Sequence, residues 1–362
     1  MLTSLTIIFI LCVALSTAYW LVLFIKLSLH KEDTKYPKNT NFSVVFCAKN
    51  ELKCLVKNLK SLISQNDATQ VILMDDYSTD GSSEYLAKIS SNNLTLTIQI
   101  PSQNVAGKKL ALTEGIVLST NDHIVLTDGD CWPASANWAS TMSSKITKQS
   151  QLVLGYGPLK TPTNLLGLFM QYETVINAIQ YLSYALLNSP YMGVGRNIAF
   201  TKKLFNTVGG YSSHVHHISG DDDLLVQGAF KHTKTTISID PETFVYSESP
   251  HNLKSYIKQK KRHHSTAPLY TLKHKILLSI HPILHLGSFI TGVILIYFGN
   301  LALVVSAFVF RWVVLLCFGF VPFKKLHALK TWLSIPLCDL LLIPYYIFFS
   351  LFSFLDNKFD WK

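Results

Sequence analysis

Three short acidic clusters contain the residues best suited to chemistry in this sequence: Asp75-Asp76, Asp128-Gly129-Asp130 and Asp221-Asp222-Asp223. Alternate residues of an extended chain point to the same side, so Asp128 and Asp130 can bind one ion together. Mg²⁺ or Mn²⁺ favours such carboxylate oxygens combined with the oxygens of substrate phosphates. Each cluster alone is weak evidence, because acidic pairs also arise by chance and Asp-Gly is an ordinary turn sequence.

The third acidic cluster stands directly before a predicted helix. Acidic side chains at that position can cap the helix and complement its dipole. However, three adjacent carboxylates repel one another, which can raise the pKa of one of them and make it a candidate general base. Both interpretations, helix cap and catalytic base, follow from the residues alone.

A basic segment later in the chain offers groups that bind anions: Gln259-Lys260-Lys261-Arg262-His263-His264. Gln259 and Arg262 are three residues apart, so they share one face of a helix. There an amide and a guanidinium can hold a diphosphate. The alternative is an amphipathic helix that binds lipid headgroups.

The segment that must position the acidic clusters, residues 40 to 250, alternates short β-rich runs with helical stretches. The predicted strands are Phe42–Cys47, Val71–Met74, Leu96–Ile98, His123–Thr127 and Leu152–Leu154, and predicted helices include Glu51–Gln65 and Lys108–Ser119. This alternation predicts parallel strands joined by crossover helices, an α/β fold with a doubly wound sheet. Ligands bind at the carboxyl ends of strands in such sheets, and Asp75 and Asp128 follow two of these strands.

The composition indicates a membrane protein. Of 362 residues, 49% are hydrophobic and 15% are charged, whereas soluble domains have about 25% charged residues. The net charge is +10, and no carboxylate occurs between Glu248 and Asp339. A basic stretch beside apolar segments favours contact with anionic lipid over nucleic acid, so no nucleic-acid partner is expected. Six cysteines without a CxxC pair argue against a disulfide framework or zinc ribbon.

Four apolar runs are candidates for transmembrane helices. The first, Leu5–Leu29, is predicted to be an uncleaved anchor, because no positive charge precedes it; a cleaved signal peptide is the alternative. Basic residues follow it and place the next segment in the cytoplasm: Lys26, His30, Lys31, Lys35 and Lys38. The other predicted spans are Ile276–Phe298, Leu301–Val321 and Trp332–Phe354.

The basic loop around Lys324 agrees with this topology, which places the C-terminal residues Asp356–Lys362 across the membrane. Arg311 interrupts the third span, where it either lines a path for polar groups or serves packing. The apolar helix predicted over Asn164–Leu187 carries Glu173 and is either interfacial or part of a core. The predicted domains are therefore an anchor (1–30), an α/β domain (40–250), a basic amphipathic interface segment (251–275) and three transmembrane helices (276–355).

Six motifs in this order resemble those of the membrane-bound, inverting family 2 glycosyltransferases with a GT-A fold, which include cellulose and hyaluronan synthases and ceramide glucosyltransferase. With the basic segment, the resemblance covers residues 40 to 265. The motifs are Val44–Glu51, Asp75–Asp80, Gly107–Leu112, Asp128–Asp130, Gly195–Phe200 followed by Val208–Tyr211, and Gly220–Asp222.

This resemblance implies a GT-A, Rossmann-like cytoplasmic domain that uses a nucleotide-sugar donor, UDP-linked by preference, and Mg²⁺ or Mn²⁺. It implies that Asp130, with Asp128, binds the metal and that Asp222 is the catalytic base. The residues expected to bind the donor nucleotide and its diphosphate are Glu51, Asp75, Asp76, Lys108, Asp128, Gln259 and Arg262.

The sequence departs from the family pattern at two positions. Cys47 stands where proline is common, which should have little effect. His263 replaces the tryptophan of a QxxRW-like motif, which leaves acceptor type and processivity open. The small number of predicted spans favours transfer of one sugar to a lipid or lipid-linked acceptor at the cytoplasmic face of an inner or plasma membrane. The alternatives are a processive polysaccharide synthase and, in a different class, a transporter or membrane scaffold; the latter would leave the ordered Asp motifs unused.

Overall fold

A computed structural model describes residues 2–32, 40–67, 70–89, 96–99 and 107–352. The chain divides into two compact units. The helical unit consists of the described residues of Met1–His30, Pro162–Ser183 and His251–Asn357, and the α/β unit contains Lys31–Thr161 and Tyr184–Pro250.

The described chain contains ten strands and thirteen α-helices. The strands are β1 (Phe42–Ala48), β2 (Gln70–Asp75), β3 (Leu96–Gln99), β4 (His123–Asp128), β5 (Cys131–Pro133), β6 (Leu152–Gly155), β7 (Leu159–Lys160), β8 (Ile198–Thr201), β9 (Thr235–Ser238) and β10 (Val245–Glu248). The helices are α1 (Leu2–Leu29), α2 (Leu52–Ile63), α3 (Ser82–Ala87), α4 (Lys108–Leu118), α5 (Trp138–Ser144), α6 (Leu165–Leu186), α7 (Lys202–Thr207), α8 (Asp223–Ala229), α9 (Leu253–His264), α10 (Leu272–Tyr297), α11 (Leu301–Lys325), α12 (Leu329–Trp332) and α13 (Ile335–Phe352).

The α/β unit is built on a seven-stranded sheet with the order β3-β2-β1-β4-β8-β6-β9. Strands β3, β2, β1 and β4 are parallel neighbours, so their carboxyl ends lie at one edge. This confirms the α/β fold class. The sheet is mixed, however, because β8 runs antiparallel to both β4 and β6. A second sheet contains β5, β10 and β7.

The core of the α/β unit explains why its central strands are continuous apolar runs in the sequence. Every residue of β1 is buried, as expected for a parallel strand covered on both faces. Helix α2 contributes Leu55, Leu59 and Leu62 to this core, at the spacing of one helical face. The rigid sheet therefore fixes where the loops after β1, β2 and β4 begin.

The helical unit contains three helices that are long and apolar enough to cross a membrane: Leu2–Leu29, Leu272–Tyr297 and Leu301–Lys325. Helix α1 packs along α10 and α11, with Phe9, Val13 and Phe308 in the apolar contact. The predicted span Trp332–Phe354 is instead divided, because a turn at Leu333 and Ser334 separates α12 from α13. Within the described residues α13 is a shorter apolar helix, and Asp356–Lys362 lie outside the described residues.

A polar network lies inside the helical unit. The guanidinium of Arg311 makes two hydrogen bonds with the carboxylate of Asp339, at 3.1 and 2.9 Å. It also donates to the hydroxyls of Ser16 and Thr17 on α1. Trp312 Nε1 donates to the same carboxylate at 3.0 Å. Arg311 and Asp339 are fully buried, so the polar residue within the predicted span is held by partners on two other helices.

Candidate active site

The turn after β2 is organised by its two adjacent carboxylates. Asp75 accepts a hydrogen bond from the hydroxyl of Ser83 and one from the backbone N–H of Ser78. Asp76 is fully buried and accepts a hydrogen bond from Gly107 N at 2.8 Å, while Lys49 Nζ lies 3.5 Å from its other oxygen. The structure therefore ties both predicted donor-binding carboxylates to neighbouring loops of the α/β unit.

The Asp76–Gly107 hydrogen bond fixes the start of α4, where the next predicted residue stands. Lys108 is the first residue of α4, and its ammonium lies 2.8 Å from Asp128 Oδ1 and 2.6 Å from Asp221 Oδ2. Although burial opposes the charged form, these two carboxylates hold the pKa of Lys108 well above its usual value. One half-buried cation thus joins two acidic clusters that are far apart in the sequence.

The Asp128-Gly129-Asp130 cluster follows β4, as predicted. Carboxylate oxygens of Asp128 and Asp130 and the sulfur of Cys131 all lie within 4.8 Å of one another. Cys131 donates a hydrogen bond to Asp130 Oδ1 at 3.2 Å, and burial raises the pKa of its thiol well above the usual value. The carboxylates of Asp128 and Asp130 form a donor set of oxygens that fits a hard divalent cation.

Glu51, at the end of the first loop, lies against this cluster. A Cβ atom on Gly129 would stand 2.8 Å from Glu51 Oε2 and 3.0 Å from the Cβ atom of Ala48. Only glycine therefore allows the chain between the two aspartates to approach the β1 loop so closely. The structure brings Glu51, Asp128 and Asp130 together at the carboxyl edge of the sheet.

Asp222 differs from its two acidic neighbours in its contacts. Its carboxylate accepts one hydrogen bond from Asp223 N at 2.8 Å and another from Gly195 N at 2.9 Å. Asp221 instead pairs with Lys108, and Asp223 accepts from Leu224 N. Burial and the charges of both neighbours raise the pKa of Asp222 to about 7, against the opposing effect of Lys108. Asp222 therefore changes its charge near neutral pH.

Asp222 is also the N-cap of α8, through its hydrogen bond to Asp223 N. The two interpretations of this cluster are thus not exclusive. The cap fixes the side chain, and the raised pKa leaves it able to accept a proton at neutral pH.

Lys109 is a residue of the site that the motif analysis did not single out. Its buried ammonium donates three hydrogen bonds of 2.7 Å, to the backbone carbonyls of His214, His217 and Ser219. These carbonyls belong to the loop that leads directly into Asp221 and Asp222. Its only sequence signal is its position beside Lys108, because the distant carbonyls that it binds carry no side-chain pattern.

The motif made of Gly195–Phe200 and Val208–Tyr211 contributes backbone and core contacts. Gly195 supplies the N–H that binds Asp222, as described above. Asn197 is fully buried. Its side-chain amide nitrogen donates to the backbone carbonyls of Tyr156 and Thr243, each at 2.7 Å, and its side-chain oxygen accepts from Trp138 Nε1. Asn197 therefore links the two sheets of the α/β unit and positions the chain at Gly195.

Gln259 and Arg262 lie on α9, which belongs to the helical unit. Both side chains belong to half-buried residues. The cluster described above is built from residues of the α/β unit alone, in the loops after β1, β2 and β4 and at the start of α8.

Sequence profiles and solved structures identify the family of this chain. The profile of Glycosyl transferase family 2 matches residues 43–175, and that of Glycosyl transferase family group 2 matches residues 152–352. Among curated protein sequences, none matches this chain at a significant level.

The chain is also similar to solved structures. One is the mannosyltransferase PcManGT from Pyrobaculum calidifontis in complex with GDP-Man and Mn²⁺, with a TM-score of 0.59 and 15% identity over 99% of this chain and 100% of that one. Another is S. aureus TarS 1-349 in complex with UDP-GlcNAc, with a TM-score of 0.43 and 16% identity over 69% of this chain and 72% of that one.

The likeness to the mannosyltransferase concerns the fold, which is the GT-A fold. The match to the group 2 profile extends over more than half of the chain. With a glycosyltransferase fold and two profiles that together match residues 43–352, the chain belongs to glycosyltransferase family 2.

Proposed function

We propose that this glycosyltransferase moves one sugar, with inversion, from a nucleotide sugar to a lipid or lipid-linked acceptor at the cytoplasmic face of a membrane. The observation that carries the reaction is the bridge made by Lys108. Its ammonium binds Asp128 on one side and Asp221 on the other. A candidate metal-binding pair and a candidate base are thereby held in one small region.

In the proposed reaction Asp222 acts on the acceptor. The acceptor hydroxyl attacks the anomeric carbon of the donor in line, and the bond from that carbon to the diphosphate oxygen breaks. Asp222 takes the hydroxyl proton, for which a pKa of about 7 is well suited near neutral pH. Inversion requires a single displacement, so this reaction needs no carboxylate nucleophile.

Asp130, assisted by Asp128, is proposed to hold Mg²⁺ or Mn²⁺, because the two carboxylates form the oxygen donor set described above. When bound, the ion supplies Lewis-acid stabilisation of the charge on the departing diphosphate. Lys108 shares Asp128 with this site, which leaves Asp130 as the principal ligand. The similar mannosyltransferase was solved with GDP-Man and Mn²⁺, which supports a divalent ion here.

The proposed donor site extends along the carboxyl edge of the sheet. Glu51, Asp75 and Asp76 contact the nucleoside from the loops after β1 and β2. Lys108, at the start of α4, contacts the diphosphate. Gln259 and Arg262 of α9 are proposed, from their sequence motif alone, to bind a diphosphate with an amide and a guanidinium.

The acceptor class and the membrane face are proposed on different grounds. Three helices are long and apolar enough to cross a membrane, which suits an acceptor that is itself a lipid. Positive charges occur in the last turn of α1 at Lys26, just after it at Lys31, and at the end of α11 at Lys324 and Lys325. Since positive loops remain on the cytoplasmic side, this pattern favours a cytoplasmic α/β unit.

The decisive experiment is a donor screen. Membranes containing the full chain are incubated with radiolabelled UDP- and GDP-linked sugars in Mn²⁺ or Mg²⁺, and released nucleotide and labelled lipid are measured. We expect one nucleotide sugar to give a lipid product extended by one sugar. A long polymer would instead establish processive synthesis, and no transfer from any donor would overturn the proposal.

Asp130→Ala tests the metal assignment in the same assay. We expect loss of turnover and loss of metal-dependent donor binding, because a principal oxygen ligand is removed. Glu242→Ala removes an exposed carboxylate from the same unit and serves as the control with normal activity. Full activity of Asp130→Ala in EDTA would exclude this metal site.

Topology is tested with two introduced cysteines. Ser64→Cys lies at an exposed position of the α/β unit, and Asn300→Cys lies between α10 and α11. An impermeant thiol reagent applied from outside the cell should label Asn300→Cys and leave Ser64→Cys unlabelled, with the native chain as background. Labelling of Ser64→Cys from outside would contradict the cytoplasmic orientation.

A further inference from the structure

The second sheet of the α/β unit carries two neighbouring aromatic side chains that the proposed donor site does not use. Trp132 on β5 and Tyr246 on β10 stand directly opposite one another in an antiparallel pair of strands. Their rings are nearly parallel, at 17°, and the ring centroids are 6.0 Å apart. Both residues are half-buried, so part of each ring is accessible. We call Trp132 and Tyr246 together the aromatic patch.

The aromatic patch lies on the outer face of its sheet. On β5 the residues on either side of Trp132 are buried, and so are those on either side of Tyr246 on β10. Since successive side chains of a strand point to opposite faces, the two rings point away from the core to which Cys131 and Val245 contribute. Packing of that core therefore does not account for the two rings.

The polar atoms of the two rings are available to a ligand. Within the described residues, neither the indole N–H of Trp132 nor the hydroxyl of Tyr246 has a hydrogen-bond partner, and neither atom is buried. Trp and Tyr side chains usually find a partner for these groups where they pack against protein. Here both groups can instead bind a hydroxyl of a ligand.

Charged side chains border the aromatic patch. Lys57 Nζ on α2 lies 5.2 Å from the centroid of the Trp132 ring and 2.8 Å from Glu248 Oε1. Lys160 Nζ on β7 lies 3.9 Å from the same oxygen. All three charged residues are exposed. The surface therefore combines aromatic rings with accessible donors and acceptors of hydrogen bonds.

This combination suits a pyranose ring. The C–H groups on one side of a sugar ring are apolar and can pack on an aromatic ring, whereas the hydroxyls at its edge need hydrogen-bond partners. Trp132 and Tyr246 each supply an apolar ring and a polar atom. A lipid chain would use the rings but would leave the polar groups at the border without partners. A phosphate would use the lysines and leave the rings unused.

The position of the aromatic patch relates it to sugar transfer. Trp132 comes two residues after Asp130, the proposed principal metal ligand, and two residues of extended chain span at most about 7 Å. The backbone carbonyl of Asp130 accepts a hydrogen bond from Asn58 Nδ2 at 3.3 Å, and Asn58 follows Lys57 on α2. A sugar bound on the aromatic patch would therefore be a neighbour of the sugar that is transferred.

We propose that the aromatic patch binds a pyranose ring of the acceptor, so that the acceptor is a lipid that already carries at least one sugar. This inference rests on the proposed function, in which a sugar is moved to a lipid or lipid-linked acceptor, and it narrows that acceptor to a glycolipid. An earlier glycosyl transfer to the lipid must then supply the acceptor.

Sugar binding is tested on the full chain in lauryldimethylamine oxide, a detergent without a sugar headgroup. The probes are methyl glycosides of glucose, galactose, mannose and N-acetylglucosamine, and saturation-transfer NMR measures the contact of their ring protons with the protein. We expect a signal from at least one glycoside that persists when UDP- and GDP-linked sugars are added with Mn²⁺. No signal from any glycoside would overturn the inference, as would displacement of the glycoside by a nucleotide sugar, which would assign the patch to the donor.

Substitutions in the aromatic patch locate this signal. Trp132→Ala and Tyr246→Ala should each weaken it and slow transfer to the lipid of native membranes about tenfold, with the nucleotide Kd within about twofold of the native value, because each removes a ring that packs on the acceptor alone. Trp132→Phe keeps a ring and should recover part of the signal. Val56→Ala removes an exposed apolar side chain of α2 and is the control with a native signal. A native signal in folded Trp132→Ala and Tyr246→Ala would overturn the inference.

Thermal unfolding shows which variants fold. If neither alanine variant folds, the native chain decides: a glycoside carrying a diazirine is activated by light, and mass spectrometry should locate the label on β5 or β10. A label confined to other segments would overturn the inference. Sugar transfer to a lipid without glycoside binding would contradict this inference alone, whereas glycoside binding at the patch without transfer from any donor would contradict the proposed function.

Discussion

Two cations of this protein, the half-buried Lys108 in the α/β unit and the fully buried Arg311 in the helical unit, have very different surroundings. Arg311 faces one carboxylate, Asp339, and shares its remaining donors with the hydroxyls of Ser16 and Thr17. Lys108 faces Asp128 and Asp221. In the first network charges are balanced and fully buried. In the second, carboxylates outnumber the cation and some side chains remain partly accessible.

This difference between the two networks separates a structural role from a role in the reaction. A balanced buried network fixes how helices pack and has no spare group for a ligand. Burial together with an excess of carboxylate raises the pKa of one acid, here Asp222, and the excess leaves oxygens for a cation to bind. Substitutions in the two networks should therefore affect different properties, stability in one and turnover in the other.

The largest effect on turnover is expected from Asp222→Asn. The amide preserves size but accepts no proton, so the transfer rate should fall about 10²- to 10⁴-fold, the usual contribution of a general base. Nucleotide and metal binding should be retained, as measured by calorimetry on the purified chain.

The neighbouring carboxylates provide matched controls for this prediction. Asp223→Asn alters a hydrogen bond at the start of α8 and Asp221→Asn removes one partner of Lys108, so both should slow transfer less than Asp222→Asn. A nearly native rate for Asp222→Asn would assign the base to another residue.

A substitution in the balanced network around Arg311 should lower the stability of the protein. Asp339→Ala leaves the Arg311 guanidinium buried without its carboxylate, which typically costs about 3–5 kcal/mol of unfolding free energy. Thermal unfolding in detergent should show this loss, while the folded fraction binds nucleotide normally.

Replacing both partners sharpens the comparison. Arg311→Met/Asp339→Leu should recover most of the stability lost in Asp339→Ala, since apolar pairs often replace buried ion pairs at little cost. If Asp339→Ala were stable but had lost transfer activity, the network would have a functional role and the distinction between the two cations would fail.

Lys109 should show a smaller effect on turnover. Lys109→Met removes three hydrogen bonds from the loop 214–219 and preserves the apolar length of the side chain. Because Asp222 is only displaced and still present, we expect a rate loss of about tenfold, with nucleotide affinity retained. Lys203→Met, which alters an exposed lysine of the same unit, is the control. An unchanged rate would show that the loop holds its position without Lys109.

Local patterns explain what was predictable from the sequence. Runs such as Phe42–Cys47 and Leu301–Val321 specify strands and spans by their own composition, and the first acidic residues after β2 and β4 follow directly from the strand ends. The antiparallel direction of β8 was not predictable, because it depends on pairing with strands distant in sequence.

Other contacts could not be predicted because they join residues that are distant in the sequence. The binding of Lys109 to backbone carbonyls has no side-chain signature, and the pairing of Arg311 with Asp339 joins residues on separate helices. Likewise, the alternatives for the third acidic cluster were separable only by contacts: Asp221 has a lysine partner, whereas Asp222 accepts two backbone hydrogen bonds.

The pH dependence of the native chain tests the charge excess around Asp222 without any substitution. Asp222 has a pKa of about 7 in the folded protein, above the usual value of a carboxyl group. The base must be ionised, so kcat/KM should rise with pH up to about 7 and fall about tenfold for each unit below it.

Stability should change in the opposite direction. Because folding raises this pKa, the folded state binds the proton more tightly than the unfolded state between about pH 4 and pH 7. The contribution of Asp222 to stability is therefore present at low pH and is lost as the pH rises through 7. Asp222→Asn has no such group, so its thermal midpoint relative to the native chain should increase from pH 5 to pH 8. Equal shifts at both pH values, with a pH-independent native rate, would mean that the neighbouring carboxylates do not perturb Asp222.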